Sequence, residues 1–166
     1  MENQMDFQDP ASVEALFSAY GDMVYRLAFL RTGNKADADD ILQEVFLRYL
    51  RRNPDCQNQE HQRAWLIRAT INASKNLLSS AWRRHIAPED DTLKTEMEEK
   101  SEVYYAVLAL PIKYRTVVHL YYYEGYRTAE IASLLGAKLS TVKSWLFRAR
   151  EQLLKQLKGE DFDVLR

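Results

Sequence analysis

Hydroxyl, cationic and aromatic side chains recur on one face of a helical segment that begins near Leu139. Apolar residues, beginning with Leu139 itself, follow one another there at spacings of three and four, which predicts a buried helical face. At about 100° per residue, the polar face lies opposite. Serine and threonine hydroxyls can bond bases or phosphates, arginine can bond a guanine edge with two donors, and phenylalanine can contact a thymine methyl group. The pattern favours a helix that lies in the DNA major groove, with these contacts: Ser140, Thr141, Lys143, Ser144, Phe147 and Arg148.

A shorter helix and a tight turn precede this face and would position it. Thr128 is predicted to cap the shorter helix, because its hydroxyl can accept a bond from a free backbone N–H. Ile131, Ala132 and Leu135 form an apolar stripe at helical spacing. Gly136 follows, and glycine tolerates the left-handed conformation that ends many helices. The arrangement predicts a helix–turn–helix. A solvated basic helix in an ordinary helical bundle is the alternative.

Composition favours a folded, all-helical chain. Of 166 residues, 46% are hydrophobic, which argues against wholesale disorder, and no strongly alternating strand pattern occurs. Cys56 is the single cysteine, so no internal disulfide can form, and this suits a reducing cytoplasm. Cys56 and His61 lack further ligands at zinc spacing, so neither a metal nor another cofactor is expected. The acidic beginning indicates no signal peptide, and the longest apolar run, residues 103–112, is too short to insert across a membrane.

Charge is distributed unevenly, although the net charge is only −1. Residues 48–84 contain eight lysines and arginines against two acidic residues, and residues 138–158 contain six against one. Residues 85–103, between these blocks, contain seven acidic residues against two basic ones. Two basic blocks separated by an acidic one indicate two DNA contacts joined by a spacer. Alternating surface charge without a function is the plainer alternative.

Periodicity predicts two helices ahead of the first basic block. The first spans about residues 12–31, and the second spans about residues 35–52 with Asn34 as its cap. The core stripe of the first helix is predicted to contain Val13, Leu16, Phe17, Tyr20, Val24, Leu27 and Ala28. The second helix has a polar face that includes Asp40, Gln43 and Glu44, and the pattern alone favours a solvated surface there.

A third helix, about residues 61–82, carries amides and cations beside an apolar stripe. Trp65 is predicted to pack in the core. Asn72 is of more interest, because polar residues within such a stripe are unusual unless they are bonded or functional. Amide groups such as those of Asn72 and Asn76 can bond exposed base edges of a single strand, and cations such as Lys75 can follow its backbone.

Residues 86–100 have few large apolar side chains and many charges, which is typical of a linker. A further helix is predicted after Pro111, packed behind the helix–turn–helix. Its aromatic run, Tyr121 to Tyr123, is predicted to serve core and helix packing rather than the stacking of bases.

Two stretches of the sequence resemble extracytoplasmic-function (ECF) sigma factors, the small group of bacterial RNA polymerase sigma subunits in the sigma-70 family. The first stretch reads D-A-D-D-I-L-Q-E-V-F and is similar to region 2 of that family. The second, over residues 110–157, contains L-P-I-K-Y-R-T-V-V-H-L-Y-Y-Y-E-G-Y, T-A-E-I-A-S-L-L-G and S-T-V-K-S-W-L-F-R-A-R, and is similar to region 4. Two positions depart from the family pattern. Lys138 stands where a serine or proline cap is frequent, and Trp145 stands where arginine or lysine is frequent.

The resemblance implies an all-α chain with two small helical domains. Residues 1–85 would bind core polymerase and the minus-ten element, residues 86–100 would be a flexible acidic linker, and residues 101–166 would hold the helix–turn–helix that binds the minus-thirty-five element. It also implies roles for residues on the second and third predicted helices. Asp40, Gln43 and Glu44 would dock on the coiled coil of the polymerase beta-prime subunit, and Asn72, Lys75 and Asn76 would contact the opened minus-ten strand.

The function implied is promoter-specific transcription initiation by a cytoplasmic sigma factor that performs no covalent chemistry itself. Its partners would be core RNA polymerase, promoter DNA and an anti-sigma factor. In the family, a loop like that at residues 53–62 helps to hold a flipped base, but its sequence here identifies no particular residue. The alternative is a conventional helix–turn–helix regulator that acts on duplex DNA. An enzyme is a distant third, since no catalytic carboxylate pair, activated nucleophile or phosphate-cradling loop stands out.

Overall fold

The computed structural model describes residues 10–83 and 101–157, with side chains placed through residue 80 in the first range. Every regular element in these two ranges is helical, as the sequence predicts. The contacts between Cα atoms divide the chain into two compact units, Met1–Glu89 and Asp90–Arg166. The predicted linker, residues 86–100, lies outside the described residues.

The first unit contains helices α1 (Pro10–Thr32), α2 (Lys35–Arg52) and α3 (Gln59–Arg83), each of which packs against the other two. Asn34 caps α2 as predicted, because its side-chain oxygen accepts a hydrogen bond from the backbone N–H of Asp37 at 3.1 Å. Helices α1 and α3 each begin two residues before their predicted starts. The core joins the inner stripes of all three helices and includes Val24, Leu27, Ile41, Val45, Leu66, Ile67 and Ile71.

One member of the predicted α1 stripe lies on the surface. Phe17 remains 50% exposed, whereas Leu16 beside it is buried. The Phe17 ring lies along α1 over Gly21, where an added Cβ would stand 3.3 Å from it, and it contacts the Phe46 ring with centroids 5.2 Å apart. The missing side chain at Gly21 therefore lets this ring lie against the helix surface. Val13 and Tyr20 are half-buried.

The second unit contains α4 (Glu102–Leu108), α5 (Ile112–Val118), α6 (Thr128–Leu135) and α7 (Leu139–Gln156). Helix α5 continues directly into one π-helical turn, His119–Tyr123. Helix α7 lies against α4, α5 and α6. The interior is built from large aliphatic side chains, chiefly Val117, Leu120, Ile131, Leu134, Val142, Leu146 and Leu153.

The turn between α6 and α7 has the predicted geometry, but the start of α6 does not. Arg127, not Thr128, occupies the N-cap position, and the Glu130 carboxylate accepts a hydrogen bond from the Arg127 backbone N–H at 3.0 Å. A capping carboxylate in the first turn therefore replaces the expected hydroxyl. Gly136 ends α6 with φ +62°, in the left-handed region that glycine adopts without strain.

Helix α7 begins at Leu139, as predicted, but this residue does not belong to the buried face. Leu139 is 41% exposed because it occupies the first helical position, beyond the reach of the helices that cover the following turns. Lys138 is the N-cap and makes no side-chain capping hydrogen bond. The buried stripe consists of Val142, Leu146, Ala149 and Leu153.

Candidate nucleic-acid and polymerase interfaces

The outer face of α7 presents a row of polar side chains with one aromatic ring. Ser140, Ser144 and Arg148 recur every four residues, and all three are exposed. Phe147 is 60% exposed, which is unusual for the side chain of a phenylalanine. Lys143 is also exposed, whereas Thr141 is half-buried at the opposite edge. This face can offer hydroxyl and guanidinium donors and one apolar contact to the edges of bases.

The π-helical turn after α5 borders this face. Tyr122 and Tyr123 are 48% and 62% exposed, so the predicted packing role is wrong for these two rings. The Tyr122 hydroxyl accepts a hydrogen bond from Arg150 Nε at 2.7 Å. Within the same turn, His119 Nε2 lies 3.1 Å from the Glu124 carboxylate, and the His119 ring stacks on that of Tyr123 with centroids 5.0 Å apart.

The polar face of α2 forms a second exposed surface. Asp40, Gln43 and Glu44 are all exposed on it. They line an open groove of about 550 Å³ that continues towards the end of α2, past Leu47, Arg48, Arg51 and Arg52. Leu47 is 49% exposed in this groove, although it is not among the residues predicted for this surface from the sequence. Its position four residues after Gln43 and three after Glu44 is the signal that could have identified it.

Helix α3 carries the third set of predicted residues. Asn72, Lys75 and Asn76 are exposed and lie within one helical turn. The side chains on the other side of α3 are buried, and two of them are polar: Thr70 bonds the Leu66 carbonyl at 2.7 Å, and Ser74 bonds the Ile71 carbonyl at 2.8 Å. The two buried hydroxyls of α3 therefore donate to carbonyls of their own helix, while its amides remain on the surface.

Polar contacts fix the connection between α2 and α3. This is the loop in which the sequence identifies no particular residue for holding a flipped base. Asn53 ends α2 in the left-handed conformation with φ 40°, and Asn58 Oδ1 accepts a hydrogen bond from the backbone N–H of His61 at 2.9 Å. The Tyr49 hydroxyl accepts a hydrogen bond from Gln62 Nε2 at 2.9 Å, and burial raises the pKa of Tyr49 to about 12. The Trp65 ring is half-buried and meets the Tyr49 ring edge-on, with centroids 5.0 Å apart. These contacts anchor the beginning of α3.

Residues 10–83 and 101–157 contain no group of three or more His, Cys, Asp and Glu side chains that could hold a metal ion. Over the same residues, no helix combines the length and hydrophobicity needed to cross a membrane.

Two family models match the chain in succession. Sigma-70 region 2 matches residues 16–84, which contain the α2 and α3 surfaces, and Sigma-70, region 4 matches residues 100–153, which contain the helix–turn–helix. The fold is similar to that of the sigma factor RpoE from Bartonella quintana, solved in complex with the anti-sigma factor NepR. The TM-score is 0.70 at 17% sequence identity, and the alignment covers 89% of this chain and 98% of the other.

Two relatives support the same family. The chain is 34% identical over 155 residues to the ECF RNA polymerase sigma factor SigE of Mycolicibacterium smegmatis, and the match covers 86% of this chain and 60% of that longer protein. It is 30% identical over 154 residues to the ECF RNA polymerase sigma factor SigM of Mycobacterium tuberculosis, covering 90% of this chain and 79% of SigM. With both sigma-70 regions present in order, the chain belongs to the extracytoplasmic-function group of sigma-70 family RNA polymerase sigma factors.

Proposed function

We propose that this sigma factor uses its three exposed surfaces for three separate steps of promoter-specific transcription initiation. The observation that carries the proposal is that each predicted binding set lies on a single helix within the matching sigma region and is exposed there, apart from the half-buried Thr141. Helix α2 binds core RNA polymerase, α3 binds the opened minus-ten strand, and α7 binds the minus-thirty-five duplex. Nucleotidyl transfer itself belongs to the polymerase.

The α2 surface has the composition of a protein-docking site. Carboxylate and amide groups at Asp40, Gln43 and Glu44 border the half-exposed aliphatic side chain of Leu47. An apolar centre with polar groups around it is the usual arrangement of an interface. A helix of the beta-prime coiled coil is the partner we assign to this groove.

The α3 and α7 surfaces suit different forms of DNA. Asn72 and Asn76 can pair with the edges of unstacked bases, while Lys75 supplies a cation for the backbone. On α7, Arg148 and the serines can bond base edges in the major groove, and Phe147 can contact a thymine methyl group. One subunit would thereby bind duplex DNA upstream and single-stranded DNA downstream.

The proposal extends to regulation and location. Bartonella quintana RpoE was solved in complex with an anti-sigma factor, and we assign the same class of partner to this chain. We also place the chain in the cytoplasm, where the polymerase acts, and assign it no enzymatic activity of its own.

The decisive experiment is run-off transcription with purified core polymerase on genomic promoter fragments. The chain should direct defined transcripts only when core polymerase is present. A gel-shift assay provides the contrast, because tight promoter binding should also require core polymerase. Equally tight and specific binding by the free protein, without transcripts from the combined proteins, would identify a conventional regulator of duplex DNA instead.

A further inference from the structure

One arginine on α7 is held against the π-helical turn that follows α5. The guanidinium carbon of Arg150 lies 5.7 Å from the centre of the Tyr121 ring and 5.6 Å from that of Tyr122. Its Nε donates a 2.7 Å hydrogen bond to the Tyr122 hydroxyl. The two tyrosine rings support each other edge-on, with centroids 4.9 Å apart. Two tyrosine side chains thus fix the position of one cation.

These contacts leave the outer part of the guanidinium group available. Arginine has five N–H donors, and the hydrogen bond to Tyr122 occupies only the one on Nε. No carboxylate of the described residues forms a salt bridge with Arg150. The two terminal amino groups can therefore make the paired hydrogen bonds that a phosphate accepts.

Position on α7 indicates which part of DNA these donors would meet. Arg150 follows Ser144 by six residues, which places it about 120° around the helix from the middle of the exposed face, so Arg150 lies half-buried at the edge of that face. Lys143 precedes Arg150 by seven residues and shares this edge, roughly 10 Å away along the axis. A helix in the major groove directs its central side chains at bases and its edges at the groove walls, where the phosphates lie.

We propose that the cluster of Tyr121, Tyr122 and Arg150 is a binding site for a DNA backbone phosphate beside the base-reading face of α7. The inference rests on the proposed binding of α7 to duplex DNA. Tyr122 acts as a positioning residue, because its hydroxyl fixes the guanidinium group before DNA arrives. Such fixing reduces the rotamer entropy lost on binding, and the tyrosine faces stabilise the cation without neutralising it.

The test measures binding of holoenzyme to a promoter duplex identified by run-off transcription, and to the same duplex with its upstream element scrambled. Fluorescence anisotropy across a series of salt concentrations gives both affinity and salt slope. Arg150→Ala should weaken binding roughly tenfold on both duplexes, the scale of one charge-assisted contact. The slope of log K against log salt should fall by about 1, as expected for one lost phosphate contact.

Three further variants test the positioning role and the charge. Tyr122→Phe keeps the ring but removes the hydroxyl, so it should cause a smaller loss, and adding it to Arg150→Ala should cause no further loss. Arg150→Gln keeps most of the side-chain stem but replaces the charged guanidinium group with a neutral amide, so it should reproduce the change in slope even if Arg150→Ala folds poorly. Lys155→Ala removes one exposed charge from the same helix without touching the tyrosines, and should leave the slope unchanged.

The outcomes separate the proposed site from the proposed function. An unchanged salt slope in a folded Arg150→Gln holoenzyme would overturn the phosphate site while leaving promoter binding by the wild type intact. A loss confined to the matched duplex would also overturn it, because that result marks a base contact. Failure of the wild-type holoenzyme to bind any promoter would instead refute the function on which the site rests.

Discussion

Arg48 donates a hydrogen bond from Nη2 to the Glu44 carboxylate at 2.8 Å, one turn apart on the exposed face of α2. The pair lies in the groove assigned to core polymerase, so one residue of the proposed docking set already has a partner within its own helix. Because exposed pairs of this kind contribute only about 0.3–0.5 kcal/mol, Glu44 can exchange Arg48 for a polymerase group at little cost.

Replacement of Gln43 and Glu44 by alanine should weaken binding to core polymerase at least about tenfold, the scale of lost hot-spot contacts. Both side chains are exposed, so helicity by circular dichroism should persist. Arg48→Ala is the matched control, since it breaks the same ion pair but keeps the carboxylate. If Arg48→Ala weakens binding as much as the double variant, the ion pair rather than the docking carboxylate is what matters.

Leu47→Ala should also weaken polymerase binding, while changing the free energy of unfolding by no more than about 0.5 kcal/mol. The reason is that Leu47 is half-exposed in the α2 groove, so the exposed half of its apolar surface leaves water only when a partner covers it. Competition against another sigma subunit for core polymerase measures the effect. Leu139→Ala is a comparable control, because it truncates a similarly exposed leucine in the other unit. Equal loss of polymerase binding in both variants would argue against a docking role specific to Leu47.

Arg148→Ala should cost roughly 1–3 kcal/mol of upstream-element recognition if Arg148 makes a two-donor base contact. Arg148 is exposed on the α7 face, on the other side of its centre from the edge position of Arg150. Binding assays on matched and scrambled upstream elements measure the difference, and core polymerase binding should be retained. An equal loss on both duplexes would show that Arg148 contacts a phosphate rather than a base.

Asn72→Ala should impair promoter opening more than formation of the initial closed complex. The Asn72 amide is exposed on α3, where it can pair with the edge of an unstacked base. In the closed duplex, base pairing occupies that edge. Permanganate footprinting on linear duplex measures opening directly. A template already melted across the minus-ten element should restore part of the lost transcription, because the energy of opening is supplied in advance. Normal opening by a folded variant would reject this role for Asn72.

The buried hydroxyl of Tyr49 should make the first unit sensitive to alkaline pH. Because burial raises the pKa of Tyr49 from 10.0 to about 12, the unfolded state loses this proton more readily than the folded state. The stabilising contribution of Tyr49 is therefore complete below pH 10 and is lost as pH rises from 10 to about 12. Urea unfolding across this range should show a steeper fall for the wild type than for Tyr49→Phe. Parallel curves for the two proteins would contradict the assignment.

Helical periodicity in the sequence was sufficient to predict α2, the turn at Gly136 and the division of α7 into buried and exposed faces. These features depend on local rules, because 3.6 residues per turn set the direction of each side chain and a glycine or asparagine marks a helix end. The sigma-family motifs added the identity of the surfaces. The roles of single residues on those surfaces, such as Asn72 and Arg148, stay predictions.

The depth at which each side chain lies was decided by the tertiary structure. Phe17 and Leu139 have the periodicity of core residues, yet both are exposed, one over Gly21 and the other at a helix start. The support of Arg150 by Tyr122 joins residues 28 positions apart, and no local pattern encodes that contact. Periodicity fixes the angle of a side chain around its own helix, whereas burial and partners depend on where neighbouring helices begin, end and cross.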